Sequence, residues 1–197
     1  MADDNIKRDL ELMYELGCIR FIQRTWRQFL NANYQNLAEH IFRTVWIAII
    51  LGKREGGDIG KIIKMALVHD LEESRTGDVN YLTRQFVNRM SDESIEEVLK
   101  GTSLEEFKEL WKEFKDKSSI EAKIVKDADL LDVDLEIQEQ SYMGDNVKNK
   151  FHPQRPAIYD KLHTKSAKEF WKVIQDSNPH SWHLNASNRF NVGDWKK

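Results

Sequence analysis

The run Met65-Ala66-Leu67-Val68-His69-Asp70-Leu71-Glu72-Glu73-Ser74-Arg75-Thr76-Gly77-Asp78 sets a histidine and several carboxylates at the end of an apolar segment. Imidazole nitrogen and carboxylate oxygen together form a donor set for a divalent cation. Upstream, Ile59, Ile62, Ile63, Ala66 and Leu67 recur at helical spacing, and the stripe runs on into His69 and Asp70. Both polar groups are therefore predicted to face inward, where leaving them unpaired costs on the order of several kcal/mol. A divalent ion satisfies both. Neighbouring residues diverge by about 100° around a helix, so His69 and Asp70 share one ion only near a helix end, with further ligands from other helices.

Candidates for those ligands lie on two other segments. His40 borders the stripe Leu37, Ile41, Val45, Ala48 and Leu51, on a helix that Asn36 caps with Glu39 reaching back to it. Taken alone, a histidine there also reads as a satisfied core residue. Gly52 and the loop Glu55-Gly56-Gly57-Asp58 end this helix and fold the next one back as an antiparallel partner, which allows His40 to meet His69. The longest helix is expected from Ser119 to about Tyr142, with Ile120, Ile124, Ala128, Leu131 and Leu135 on one stripe. Among its aspartates, only Asp129 continues the line Ala122, Val125 and Val133. It is expected to be the buried carboxylate, and Asp127, Asp132 and Asp134 to be solvated.

Glu73 lies one helical turn beyond Asp70, beside such an ion without being needed as a ligand. There it can orient an attacking water or relay a proton to a departing oxygen. The plainer alternative is a helix-end cap or a pair with Arg75. Asp78, just past Gly77, is expected to return to the same pocket. Earlier, Arg24 and Trp26 stand in an aromatic, arginine-rich segment that suits clamping a phosphate and stacking on a ring, and equally suits an amphipathic stretch with snorkelling arginines.

The elements around these residues are predicted to be helical. The chain has 197 residues, three prolines and nine glycines, so one all-α domain with few helix breakers is expected. A helical bundle should occupy residues 1–176, and residues 177–197 form an extension to which the sequence assigns no role. Ile6, Leu10, Met13, Tyr14 and Leu16 should pack a first helix onto the core. A short helix is expected near Val79 to Met90, another from Thr102 with Leu104, Phe107, Leu110, Trp111 and Phe114 on one face, and a last one from Ile158 to Ile174. His180 and His183, next to Pro179, are expected in a loop without a role. The net charge of −3 and pI near 6.1 argue against a nucleic-acid surface. Cys18 is the only cysteine, which rules out an internal disulfide and suits a reducing compartment. The acidic start Met1-Ala2-Asp3-Asp4 is unlike a signal peptide, and Val45–Leu51 is too short to span a membrane, so a cytoplasmic protein is expected.

The order His40, His69-Asp70, Asp129 resembles that of the HD-domain metal-dependent phosphohydrolases. Within them the chain resembles the 5′-nucleotidase branch that acts on deoxyribonucleoside monophosphates. The resemblance rests on Ala38-Glu39-His40, Ala66 to Glu73, Thr76-Gly77-Asp78-Val79, Leu110 to Phe114, Ser118 to Lys123 and Val125 to Asp129, and spans roughly residues 15 to 140. It implies that His40, His69, Asp70 and Asp129 are metal ligands, Glu73 and Asp78 the acidic pair that supports catalysis, and Arg24 and Trp26 substrate contacts. It also implies one divalent ion (Mn, Co or Mg), a nucleoside monophosphate cleaved to nucleoside and phosphate, and a homodimer. Two other readings stand beside it. One is an HD enzyme that releases pyrophosphate or triphosphate; its alarmone-cleaving version usually carries Glu-Asp where this chain has Glu73-Ser74. The other is a non-enzymatic helical protein stabilised by a metal.

Overall fold

The computed structural model describes residues 2–29, 33–144, 146, 148–149 and 154–185. These fold into helices, and the only sheet-like pairing among them is one isolated bridge between Gln23 and Asn36. Helix α1 spans Ala2–Cys18, α2 Leu37–Glu55, α3 Ile59–Val68, α4 Glu73–Thr76, α5 Ser91–Leu99, α6 Phe107–Asp116 and α7 Ile120–Tyr142. Three more follow: α8 (Pro156–Lys161), α9 (Lys165–Asp176) and α10 (Ser181–Leu184). No described helix is long and apolar enough to cross a membrane.

The α2–α3 hairpin and α7 form the frame, and local chemistry sets their ends. Asn36 accepts from the Glu39 backbone at 3.0 Å while the Glu39 carboxylate accepts from the Asn36 backbone at 2.8 Å, a reciprocal cap on α2. Asp58 caps α3 through Lys61 N, and Ser119 caps α7 through Ala122 N. Gly56, at φ 74°, closes α2 in the left-handed conformation. Gly52 does not end α2 as expected but lies inside it. A Cβ there would stand 2.5 Å from Ile62 Cδ1, so the missing side chain lets α3 approach α2 closely.

Two apolar clusters meet along this frame. Ala48, Leu51, Ile62, Met65, Ile124, Ala128 and Leu131 belong to one, and Leu37, Ile41, Val68, Leu71, Ile95, Leu99 and Trp111 to the other.

Several helix faces differ from expectation. Among the described side chains of α1 only Leu12 is buried; Ile6, Leu10, Met13, Tyr14 and Leu16 are exposed. Polar contacts tie the helix down instead: Arg8 donates to the carbonyls of Lys100 and Val98, and Asp9 accepts from Ser103 N and Oγ. Leu67 is exposed as well. Between residues 79 and 90 only a 3₁₀ turn, Thr83–Gln85, forms. The Asn80 side chain accepts from Leu82 N and Thr83 N and so draws the backbone into an Asx turn in place of a helix. Helix α6 starts at Phe107, not Thr102. His180 and His183 flank or lie on the single turn α10, with ring nitrogens 3.1 Å apart, rather than in a loop.

The expected helix from Ile158 to Ile174 breaks at Leu162–Thr164, and a residue far away in sequence accounts for it. Asp127, fully buried on α7, accepts from His163 N (2.8 Å), Thr164 N (2.7 Å) and Thr164 Oγ (2.8 Å), while Thr164 Oγ accepts from Ala167 N to cap α9. Replacing Asp127 by Ala would leave the buried N–H and hydroxyl of Thr164 without this acceptor, at about 1–3 kcal/mol each, and free the part-buried His163 N–H. Asp127→Ala is thus expected to lower unfolding stability by about 2–4 kcal/mol in urea titrations. A loss below about 0.5 kcal/mol, the range of neutral surface changes, would show that the break is held by something else.

Candidate metal centre

Helix α3 ends at Val68, and the chain tightens into i→i+3 turns through Leu71 N–Val68 O, Glu73 N–Asp70 O and Ser74 N–Leu71 O. This loosened end is where His69 and Asp70 stand, as helical geometry requires if both are to face one point. His40 comes from the first turn of α2 and Asp129 from the middle of α7. His40 Nε2 lies 3.3 Å from His69 Nε2, 3.5 Å from Asp70 Oδ2 and 3.3 Å from Asp129 Oδ1, and His69 Nε2 is 3.4 Å from Asp70 Oδ2. One donor atom from each of the four residues lies within 4.8 Å of the others.

The opposite side of each ring explains why these nitrogens face inward. His69 Nδ1–H donates to Ala66 O at 2.7 Å; a carbonyl only accepts, so the proton is on Nδ1 and the Nε2 lone pair points into the cluster. Phe114 meets the same ring edge-on at 5.4 Å. His40 Nδ1 is held by Asp132 Oδ2 at 2.6 Å. Asp132 in turn accepts from Arg43 Nε and from Gln35 Nε2, and Arg43 also bonds Glu136 and Glu139. Burial pushes the Asp132 carboxyl up, but His40 and Arg43 outweigh it and hold it below its ordinary range.

Electrostatically the cluster attracts positive charge. Burial and the Arg24 charge push His40 down, yet Asp129, Asp132 and Asp70 outweigh both and hold it at about 10. Asp70 and Asp129 are held below the carboxylate range in spite of burial, Asp70 by His69 and His40, and Asp129 by Lys126 and His40. Two imidazole nitrogens and two carboxylates, none able to donate to all the others, fit a borderline or hard divalent ion and leave positions open on it.

Asp129 is, contrary to expectation, the most accessible of the four aspartates on α7. Its side chain is 14% exposed, whereas Asp127, Asp132 and Asp134 are buried. Each of the buried three has its own partners: the α9 cap for Asp127, His40 and Arg43 for Asp132, and a forked contact from Arg155 for Asp134. The apolar line through Ala122, Val125 and Val133 therefore does not single out the buried carboxylate: the three aspartates expected to be solvated are the buried ones, because partners from other parts of the chain reach them.

Glu73 and Asp78 both reach the surroundings of the cluster. Glu73 is buried; Oε1 accepts from Arg89 Nη2 at 2.9 Å and Oε2 has no hydrogen-bond partner. Arg75, the partner weighed from sequence, pairs with Glu15 instead. Burial, Asp70 and Asp78 push the Glu73 carboxyl well up, against Arg24 and Arg89, as suits a group that exchanges protons. Gly77, at φ 70°, turns the chain so that Asp78 Oδ2 receives Thr25 N (3.0 Å) and Arg24 Nη1 (3.3 Å). Arg24 is buried, its Nη1 also 3.3 Å from Asp70 Oδ2, and it lines a cavity of about 370 Å³ with Gln23, Thr25, Arg27, Gln28 and Asn80. Trp26 packs against Val133 and Ile137 of α7.

Four residues near the centre went unassigned from sequence. Lys126 Nζ lies 2.6 Å from Asp129 Oδ2, a pairing that its i,i+3 spacing could have revealed. Glu72 accepts from Trp111 Nε1 at 2.8 Å, and burial with Asp70 raises it to about 7. Arg89 and Asp132 carry no local signal, since their partners are distant in sequence. Asparagine in place of Asp132 offers one acceptor oxygen to three donors, so Asp132→Asn is expected to weaken divalent-metal affinity by about 10- to 100-fold. Equilibrium dialysis against Mn(II) measures it; unchanged affinity would show that Asp132 does not orient His40.

The HD domain family model matches residues 16–174, well past the stretch in which the sequence resemblance was visible. The 5′-deoxynucleotidase HDDC2 of Dictyostelium discoideum is 31% identical over 159 residues, which cover 74% of this chain and 84% of that protein. Among solved structures, one described as a predicted metal-dependent phosphohydrolase from Magnetospirillum magnetotacticum shares the fold at a TM-score of 0.72 and 18% identity, covering 89% of this chain and 93% of that one. The HD phosphohydrolase DatZ of cyanophage S-2L, bound to dA and one catalytic zinc ion, shares it at 0.55 and 21% identity, covering 83% and 96%.

Proposed function

This chain belongs to the HD-domain family of metal-dependent phosphohydrolases, and on that footing we propose that it cleaves 2′-deoxyribonucleoside 5′-monophosphates to nucleoside and inorganic phosphate. The observation that carries the reading is the convergence of His40, His69, Asp70 and Asp129, with each histidine held from behind so that Nε2 faces the centre. The choice of monophosphates is supported by the 31% identity to a 5′-deoxynucleotidase across most of both chains.

In this reading the four residues hold one divalent ion, Mn, Co or Mg, which supplies Lewis acidity and makes water a better nucleophile at neutral pH. Arg24 and Lys126 offer positive charge to the phosphate, and Trp26, on the same turn as Arg24, contacts the nucleoside. Glu73 takes the proton of the attacking water as its oxygen bonds phosphorus, and returns a proton to the sugar oxygen as the P–O5′ bond breaks. Asp78 holds Arg24 and the Thr25 backbone in place.

A panel of mono-, di- and triphosphates and a guanosine alarmone, each with Mn(II), Co(II) and Mg(II), tests the reading. Orthophosphate from deoxyribonucleoside monophosphates supports it. Pyrophosphate or triphosphate release places the chain in another HD branch, and no release from any member overturns the enzymatic reading of this substrate class. We also read the assembly as a homodimer, supported by the exposed apolar faces of α1 (Ile6, Leu10, Met13, Tyr14) and α2 (Phe42, Trp46, Ile50). Sedimentation velocity at micromolar concentration should give twice the chain mass; a monomer removes that reading.

A further inference from the structure

Residues 81–88 and Met90 all face solvent, and Arg89 alone in that run turns inward. The backbone is bent to allow it: Met90 sits at φ 44°, a conformation that non-glycine residues adopt at a cost. Contacts on both sides keep it there. Following Met90, its carbonyl receives Ser94 N at 2.9 Å as α5 begins, and Ser94 Oγ donates to Glu72 O at 2.8 Å. Preceding it, the Arg89 guanidinium donates through Nη2 to Glu73 Oε1 at 2.9 Å and approaches Thr76 Oγ at 3.4 Å, with Glu72 Oε1 at 3.7 Å.

The contact singles out one oxygen of Glu73. Oε1 is committed to Arg89, so the buried and unpartnered Oε2 is the atom left to exchange a proton. Without the guanidinium, the Glu73 side chain would lose the only hydrogen bond among the described residues that orients it. We propose that Arg89 is a positioning residue, which holds Glu73 by one oxygen and presents the other to the reacting phosphate. The proposal rests on the proton-transfer role given above to Glu73.

A double-mutant cycle separates this role from general support of the fold. Arg89→Met, Glu73→Gln and the double variant are compared with the unchanged protein, loaded with Mn(II), by phosphate release from 2′-deoxyadenosine 5′-monophosphate. Arg89→Met should lower kcat by about 10- to 100-fold, the scale for residues that orient a reacting group, with KM and metal content within about twofold. In the Glu73→Gln background it should cause no further loss, because no proton-exchanging oxygen remains to be aimed. The same four proteins, freed of metal by chelation, give a readout apart from activity: the fall in Tm of the double variant should be smaller than the sum of the single falls. Should Arg89→Met fail to accumulate, Arg89→Lys, which keeps the charge without the planar fork, enters the same cycle.

Equal losses in both backgrounds, or no loss at all, overturn the proposal. Glu73→Gln with near-normal turnover overturns the reading of Glu73 itself and the proposal with it. A large loss in Glu73→Gln together with an active Arg89→Met overturns the positioning role alone.

Discussion

Asp70→Ala is expected to abolish both bound metal and phosphate release. Asp70 Oδ2 lies 3.5 Å from His40 Nε2 and 3.4 Å from His69 Nε2, so its carboxylate is the one that faces both imidazoles. Removing it leaves three donors and takes away much of the negative charge that draws a cation to this point. Its loss also deprives Arg24 Nη1 of a partner at 3.3 Å, leaving the guanidinium to Asp78. Elemental analysis of dialysed protein and phosphate release should be measured on one preparation, with circular dichroism as the check on folding. Retention of metal at the level of the unchanged protein would show that the ligand set is wrongly assigned.

Glu73→Gln should have the second-largest effect and a different signature. Glutamine keeps the volume of the side chain and an oxygen for Arg89 to bond, but it does not take up a proton. Metal content should stay near that of the unchanged protein while kcat falls by about 10²- to 10⁴-fold, the usual contribution of a positioned acid or base. Near-normal turnover with full metal would remove Glu73 from the mechanism. Asp78 is a poor substitute, since one of its oxygens already serves both Thr25 N and Arg24.

What the amino-acid order determined by itself is whatever depends on neighbours within a turn or two. The Asn36–Glu39 cap, the Ser119 cap, the α2–α3 hairpin and the inward lines through His69, Asp70 and Asp129 are of this kind, because helical period and capping act over three or four residues. The order of the four candidate ligands was legible for the same reason.

What only the tertiary structure decided is which polar groups are buried and what satisfies them. Asp127, Asp132 and Asp134 looked like a solvated face, yet His163 and Thr164, His40 and Arg43, and Arg155 reach them from other parts of the chain. The apolar face of α1 looked like core, yet nothing among the described residues covers Ile6, Met13 or Tyr14, and the helix is held by Arg8 and Asp9. Arg89 falls in the stretch Val79 to Met90 expected as a short helix, and its inward turn depends on the bend at Met90 and on Glu73 lying in reach. Periodicity states that a residue is polar or apolar on a given face, but burying a charge is affordable only where an opposite charge or a row of N–H donors arrives from elsewhere, and that arrival is a property of packing.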